Sequence, residues 1–458
     1  MLIVNGCAKS INPNIERGSD YHHREGYPDV RVSALGFLNT ENEAVVEVTA
    51  DVGYGSLVYE TIDDQEVASI ELAIRVANTE TGEAENILRE FTIESQVERF
   101  TIQQESFKFT EEVVVSPGEY DIAVSVVDKS TGRETIRQTE AFIPNPANPE
   151  NNLTTVRLSG KDMDLVNPEY IPVTTYDVST KLDSLKFEFQ VTNHDPEYPL
   201  TIRAQLKKFP SDLEPSKPMA ARNPSPSTIE YKGIDYREYT IVDENIRRLD
   251  QTGSVLIEFR YPNFEKGNYR FEVETTTNEE ETLFKARDFS VKGDFFPTLI
   301  TAKELAEPLI YLMGNDDYDK LMAIEDPDSI KTYMDRFWLS NVGSMRRARD
   351  VISLYYERVE SANKLFTNFK EGWKTDRGKI YILFGHPWYV DKMQNRLRWS
   401  YTFNTGDPMY NLYFERTRAP NEFFPFQHYL LNRKSSFHNL EYRQKQLWLT
   451  GAIIERRL

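Results

Sequence analysis

The stretch FKEGWKTDRGKIYILFGHP, residues 369–387, decides how the rest of the chain is read. Upstream of it apolar residues recur every three or four positions; within it Gly372, Trp373, Thr375, Asp376, Arg377 and Gly378 crowd together. Downstream, Ile380, Ile382 and Phe384 alternate with Tyr381 and Leu383. Helical periodicity before the cluster and a short apolar run after it predict a helix, a tight corner and a strand covered on both faces. Gly372 falls just past the last apolar helical position, where a left-handed C-cap suits glycine. Trp373 is then placed to fold back on Phe366 and Phe369, and Asp376, Arg377 and Gly378 form the turn, with Arg377 as the charge partner of Asp376.

Working back, Val351, Leu354, Tyr355, Val359, Ala362, Leu365 and Phe366 make one apolar face, so a long amphipathic helix runs from about Ser344. Asp326 and Pro327 open another, as N-cap and first helical residue. NDDYD, from 315, lacks the glycine and the closing glutamate of a calcium loop and reads as helix-start acids. Beyond the corner, LRWSYTF and YNLYFER (410–416) are expected to pair beside the KIYILF strand, and a short helix closes the chain.

The first half has a different period. Ile70, Leu72, Ile74 and Val76 alternate with polar residues, as do Tyr120, Ile122, Val124 and Val126, and again Leu185, Phe187, Phe189 and Val191. Such strands belong to half-buried antiparallel sheets. GNYRFEVETTT (267–277) echoes GEYDIAVSVVD (118–128), each with glycine, a spacer and tyrosine before the strand. The fold class expected is multidomain, mainly β plus α+β. Two β-sandwiches of immunoglobulin or fibronectin type, 27–147 and 148–293, precede a helical plus small-sheet domain at 294–458. The Pro- and Ser-rich stretch 209–228 reads as a long exposed loop.

Composition narrows function. With 54 Lys and Arg against 73 Asp and Glu, the net charge of −19 gives no electrostatic reason to seek nucleic acid or an anionic lipid surface. The single cysteine, Cys7, excludes an intramolecular disulfide or a cysteine-rich metal site. No metal triad, phosphate loop or nucleophile with an adjacent base emerges, so no cofactor and no metal are expected. MLIVNGC resembles the tail of a bacterial lipoprotein signal, with a small Gly6 before a cysteine that takes the lipid; the charged segment and long apolar core of a full signal are not among these residues. Residues 1–26 are then signal remnant and tether.

The sequence EGWKTDRGKIYILFGHP resembles the GWxTD domain family: Gly372, Trp373, Lys374 at the variable place, Thr375 and Asp376. FW (337–338), YYERVESANKLF (355–366) and Gly385 extend the likeness over roughly 300 to 420. His386-Pro387 departs from the two prolines the family favours there. The resemblance implies leading β-domains and a bacterial lipoprotein or secretory amino terminus, but no reaction. The expectation is a non-catalytic envelope lipoprotein, anchored through Cys7 on the periplasmic side of the outer membrane, that binds or scaffolds envelope proteins. The motif residues Gly372, Trp373, Thr375, Asp376, Arg377, Gly378, Gly385 and His386 are its candidate partner surface. An envelope hydrolase using Asp376 and His386, and a carbohydrate-binding protein using exposed sandwich aromatics, are the alternatives.

Overall fold

The computed structural model describes residues 10–11, 26–62, 65–94, 106–145, 147, 151–162, 168–195, 197–276, 282–402, 409–418 and 426–456. Cys7, and with it the expected lipid anchor, lies outside the described residues. The chain divides into two compact units; the first holds 22–209 and 237–291, the second 210–236 and 292–458.

The first unit contains two sandwiches. In one, the antiparallel sheet of Val30–Leu38, Ala44–Gly53 and Ser106–Val114 faces a second sheet. That second sheet contains Glu60–Ile62, Gln65–Asn78, Ala84–Glu94, Gly118–Asp128 and Arg133–Ile143. Ile70, Leu72, Ile74, Val76, Ile122, Val124 and Val126 are all buried between them, as their alternation predicts. In the other, Leu200–Phe209, Thr240–Leu249, Gly267–Thr276 and Thr282–Lys292 build one sheet around which shorter strands pair, and Ser184–Asn193 and Gly253–Pro262 belong to the opposite sheet. Its core is aromatic: Phe187 stacks on Phe271 at 4.5 Å.

The echo between GEYDI and GNYRF has a structural cause. Tyr120 donates its hydroxyl to the Ser116 carbonyl (2.8 Å) and Tyr269 donates to that of Glu265 (2.9 Å), each four residues upstream. Both are tyrosine corners, pinning the chain as it enters the strand. A buried polar seam joins the sandwiches. Gln190 closes two hydrogen bonds with the Leu38 backbone, and Arg157 pairs with Glu47 at 3.0 Å. Ala44–Gly53 is therefore covered on both faces, which alternation alone does not foretell.

The second unit is α+β. After the turn α1 (Ile229–Lys232) its helices are α2 (Ala302–Ala306), α3 (Asn315–Met322), α4 (Pro327–Val342), α5 (Met345–Phe366), α6 (Asp376–Phe384) and α7 (His438–Leu449). Thr301 and Glu304 form a capping box on α2, and Asp326 accepts from the Ser329 amide at the start of α4, as expected. A four-stranded antiparallel sheet runs Tyr389–Met393, Arg396–Tyr401, Tyr410–Arg416, Tyr429–Leu431.

Two expectations are corrected here. KIYILF is the body of helix α6, not a strand, and the sheet beside Arg396–Tyr401 is completed by Tyr389–Met393. A helix apolar all round is a buried helix, and every residue from Gly378 to Phe384 is buried. Second, the stretch 209–228 is not a free loop. Residues 210–236, inside the span expected for the second sandwich, group with the C-terminal unit, where Met219 is wholly buried.

Candidate functional site

The corner begins where α5 stops. Thr367 leaves the helix in an extended conformation, donates its hydroxyl to the Asn363 carbonyl (2.6 Å) and accepts from the Gly372 amide (2.8 Å). Asn363 accepts from the Trp373 amide at 3.1 Å. The returning chain crosses α5 so closely that a Cβ on Gly372 would lie 2.0 Å from the Ala362 carbonyl oxygen. The next pass is as tight: a Cβ on Gly378 would lie 1.9 Å from the Gly372 carbonyl oxygen. Three backbones are thus stacked through two glycines. Gly372 is not the left-handed helix cap the sequence suggested; it opens a 3-10 turn, Gly372–Lys374, and is required for backbone approach.

Trp373 is buried edge-on against Tyr311, ring centroids 5.9 Å apart, and its indole N–H donates to Glu371 at 2.9 Å. Thr375 is the N-cap of α6, accepting from the Gly378 amide at 3.0 Å and donating to the Gly372 carbonyl at 2.7 Å.

Asp376, 5% exposed, is the centre. One carboxylate oxygen accepts from the Arg433 guanidinium (2.8 Å) and from the Ser216 hydroxyl; the other accepts from the Leu431 amide (2.6 Å). Its place in the first turn of α6 adds the favourable field of a helix start. The ion-pair partner is therefore Arg433, not Arg377. Arg377 instead sets its guanidinium 5.2 Å from the Phe366 ring and 5.0 Å from that of Tyr429.

The segment 210–236 supplies much of this surround. Ser216 reaches Asp376, Asp212 pairs with Lys370 at 2.7 Å, and Glu230 lies 3.5 Å from Arg433. Lys379 donates to the Lys217 carbonyl (2.8 Å) and pairs with Glu441 (2.7 Å), whose other oxygen accepts from the Met219 amide at 2.7 Å. Burial pulls the Lys379 ammonium down to about 8, against the opposing pull of Glu441. Burial would raise Glu441, but the adjacent Lys379 cation wins and holds it below the usual carboxylate range. His428, packed against Phe369, donates from Nε2 to the Glu230 carbonyl oxygen at 3.0 Å, so Nε2 carries a proton. Its Nδ1 has no hydrogen-bond partner, and burial lowers the imidazole to about 4.

Gly385 ends α6 at φ +83°, a conformation that favours glycine, and its carbonyl accepts from Tyr401 at 3.1 Å. His386 is exposed and shares a 2.9 Å hydrogen bond with the Tyr381 hydroxyl. Asp376 and His386 flank opposite ends of α6, about 15 Å apart at the rise of an α-helix. The structure does not bring that pair together. Among the described residues no three His, Cys, Asp or Glu side chains are grouped to hold a metal.

Arg433, Ser216, Asp212, Glu230 and Glu441 carry no local signal in the sequence. Ser216 lies 160 residues from Asp376 and Arg433 lies 57, and single polar residues in loops reveal nothing of such distant partners.

These features define a β-rich multidomain protein whose last module is built around a glycine-stacked corner and a buried Asp–Arg pair. The GWxTD domain family matches residues 267–450, wider than the span legible from the motif, and the chain is a GWxTD domain-containing protein. The segment 210–236 lies outside that match. No curated protein matches the chain. Among solved structures, red sea bream transglutaminase is 12% identical with a TM-score of 0.19, over 58% of this chain and 31% of that one. Salmonella alpha-2-macroglobulin reacted with methylamine is 14% identical with a TM-score of 0.18, over 61% and 17%. The chain thus spans under a third of the first and about a sixth of the second, and likeness at that level carries no functional argument.

Proposed function

We propose that this protein is a non-catalytic binding or scaffolding component of the bacterial cell envelope, held at the membrane by lipid on Cys7. One observation carries the non-catalytic part of the reading. The polar groups of the motif are buried and taken up by internal bonds: Asp376 by three donors, Thr375 by the α6 cap, Trp373 by Glu371. A catalytic acid or base has to reach substrate.

Immediately after the corner, apolar side chains turn outward instead. Trp388 is 66% exposed, and Tyr389, Val390 and Met393 are exposed along the edge strand Tyr389–Met393. Aromatic and methionine side chains along a strand edge suit docking of a protein partner. The envelope setting rests on the residues around Cys7 and on the family resemblance. The test is crosslinking and co-purification of full-length protein from native envelopes, with mass spectrometry of the Cys7 peptide. A recurrent partner lost with Trp388→Ala supports the reading; a Cys7 without lipid removes the anchor, and turnover that vanishes with Asp376→Ala while folding persists removes the scaffold.

A further inference from the structure

Thr240–Leu249 is the edge of its sheet. Among the described residues it pairs with Leu200–Phe209 and with no other strand, so its outer edge is open to a further strand, with the Leu249 carbonyl at its end accepting from Asn193 (3.2 Å). None of its residues is buried; Ile246 is 63% exposed, and Ile241 and Val242 are exposed as well. Natural edges are blunted with charged side chains, above all lysine, with proline or with bulges. This strand has neither lysine nor proline, and its register shift, at Val242, leaves 243–249 regular.

The order of charges on that strand is self-complementary. Glu244, Ile246 and Arg248 share one face by the two-residue period. Glu244 is held on that face by Arg203 (2.6 Å) and Gln205 (2.7 Å) of the neighbouring strand. In an antiparallel pair, residues directly opposite lie on the same face. Two such strands related by a two-fold axis through Ile246 would place Ile246 opposite its own copy and Glu244 opposite Arg248 on both sides. Leu256, equally exposed, stands on Gly253–Pro262, the edge strand of the facing sheet, and Arg247 over the Phe259 ring (4.8 Å) bridges the two edges on the same open side.

We propose that this edge is a homodimer interface in which Thr240–Leu249 of two copies pair antiparallel about Ile246, joining two sheets into one. An isologous contact of this kind closes on itself and leaves no edge to propagate.

Sedimentation velocity of the full-length chain tests it, with the expected result a reversible dimer in roughly the micromolar range. Glu244→Arg and Arg248→Glu each set like charges opposite one another twice, and each weakens the dimer at least about tenfold. An equimolar mixture of the two variants restores opposite charges at every position and recovers the dimer. Ile246→Thr keeps strand propensity, touches no ion pair and weakens the dimer too. A wild-type monomer up to about 100 μM, a dimer indifferent to both charge reversals, or a mixture no tighter than its parts overturns the proposal.

Discussion

Arg433 and Asp376, 57 residues apart in sequence and 2.8 Å apart in space, form a buried ion pair at the start of α6. Two of the Arg433 nitrogens, Nε and Nη1, have no hydrogen-bond partner, so the guanidinium relies on Asp376 and the more distant Glu230 for compensation. Removing one member of such a pair strands the other charge in a poorly solvated site.

Asp376→Asn and Arg433→Met should each destabilise the C-terminal unit by about 3–5 kcal/mol, and the double variant should recover part of that loss. All five tryptophans, at 338, 373, 388, 399 and 448, lie in 294–458, so urea unfolding followed by tryptophan fluorescence reports this unit selectively. Additive losses in the double variant would contradict a coupled pair.

Gly372→Ala and Gly378→Ala should each cost about 3 kcal/mol or more, because the new methyl meets backbone that cannot swing away. Gly343→Ala is the control. That position has φ +70° but nothing within 4 Å of a Cβ, so only the left-handed penalty of about 1 kcal/mol applies. Equal costs at all three positions would mean that conformational freedom, not close approach, is what these glycines supply.

Stability of the C-terminal unit should fall on acidification between pH 6.5 and about 4 through His428. The sign follows from proton counting. In that window the unfolded imidazole binds a proton and the folded one does not, so lowering the pH favours unfolding. Above 6.5 both states are neutral and the contribution is fully present. The difference of pKa corresponds to roughly 3 kcal/mol. His428→Gln keeps a donor for the Glu230 carbonyl and does not titrate. Its denaturation midpoint should lose less than that of the wild type between pH 7 and pH 4, and identical losses would rule His428 out.

Trp388→Ala should leave stability within about 0.5 kcal/mol, since the side chain is mostly in water, while lowering recovery of crosslinked partners from native envelopes. A large loss of stability would make Trp388 part of the fold instead of a docking surface.

The β-strands were legible because their information is local: Ile70 to Val76 and Leu185 to Val191 alternate, and each alternate side chain is buried. The tyrosine corners at Tyr120 and Tyr269 left a visible echo for the same reason, each bond spanning four residues. The amphipathic face of α5 and the Asp326–Pro327 start of α4 showed themselves equally well. KIYILF did not, because a six-residue apolar run carries no period that separates a covered strand from a buried helix. Thr375 capping the Gly378 amide, and neighbours on every side, settle it as α6.

The amino-acid sequence by itself determined the β-rich first half, the long helix and the motif at Gly372–Asp376, through periods and turn residues that act within a few positions. Only the tertiary structure decided what Asp376 does. Its partners, Ser216, Leu431 and Arg433, come from a segment far upstream and from a strand and the loop after it far downstream, and burial makes their hydrogen bonds binding constraints where isolated polar residues in the sequence carry no such information.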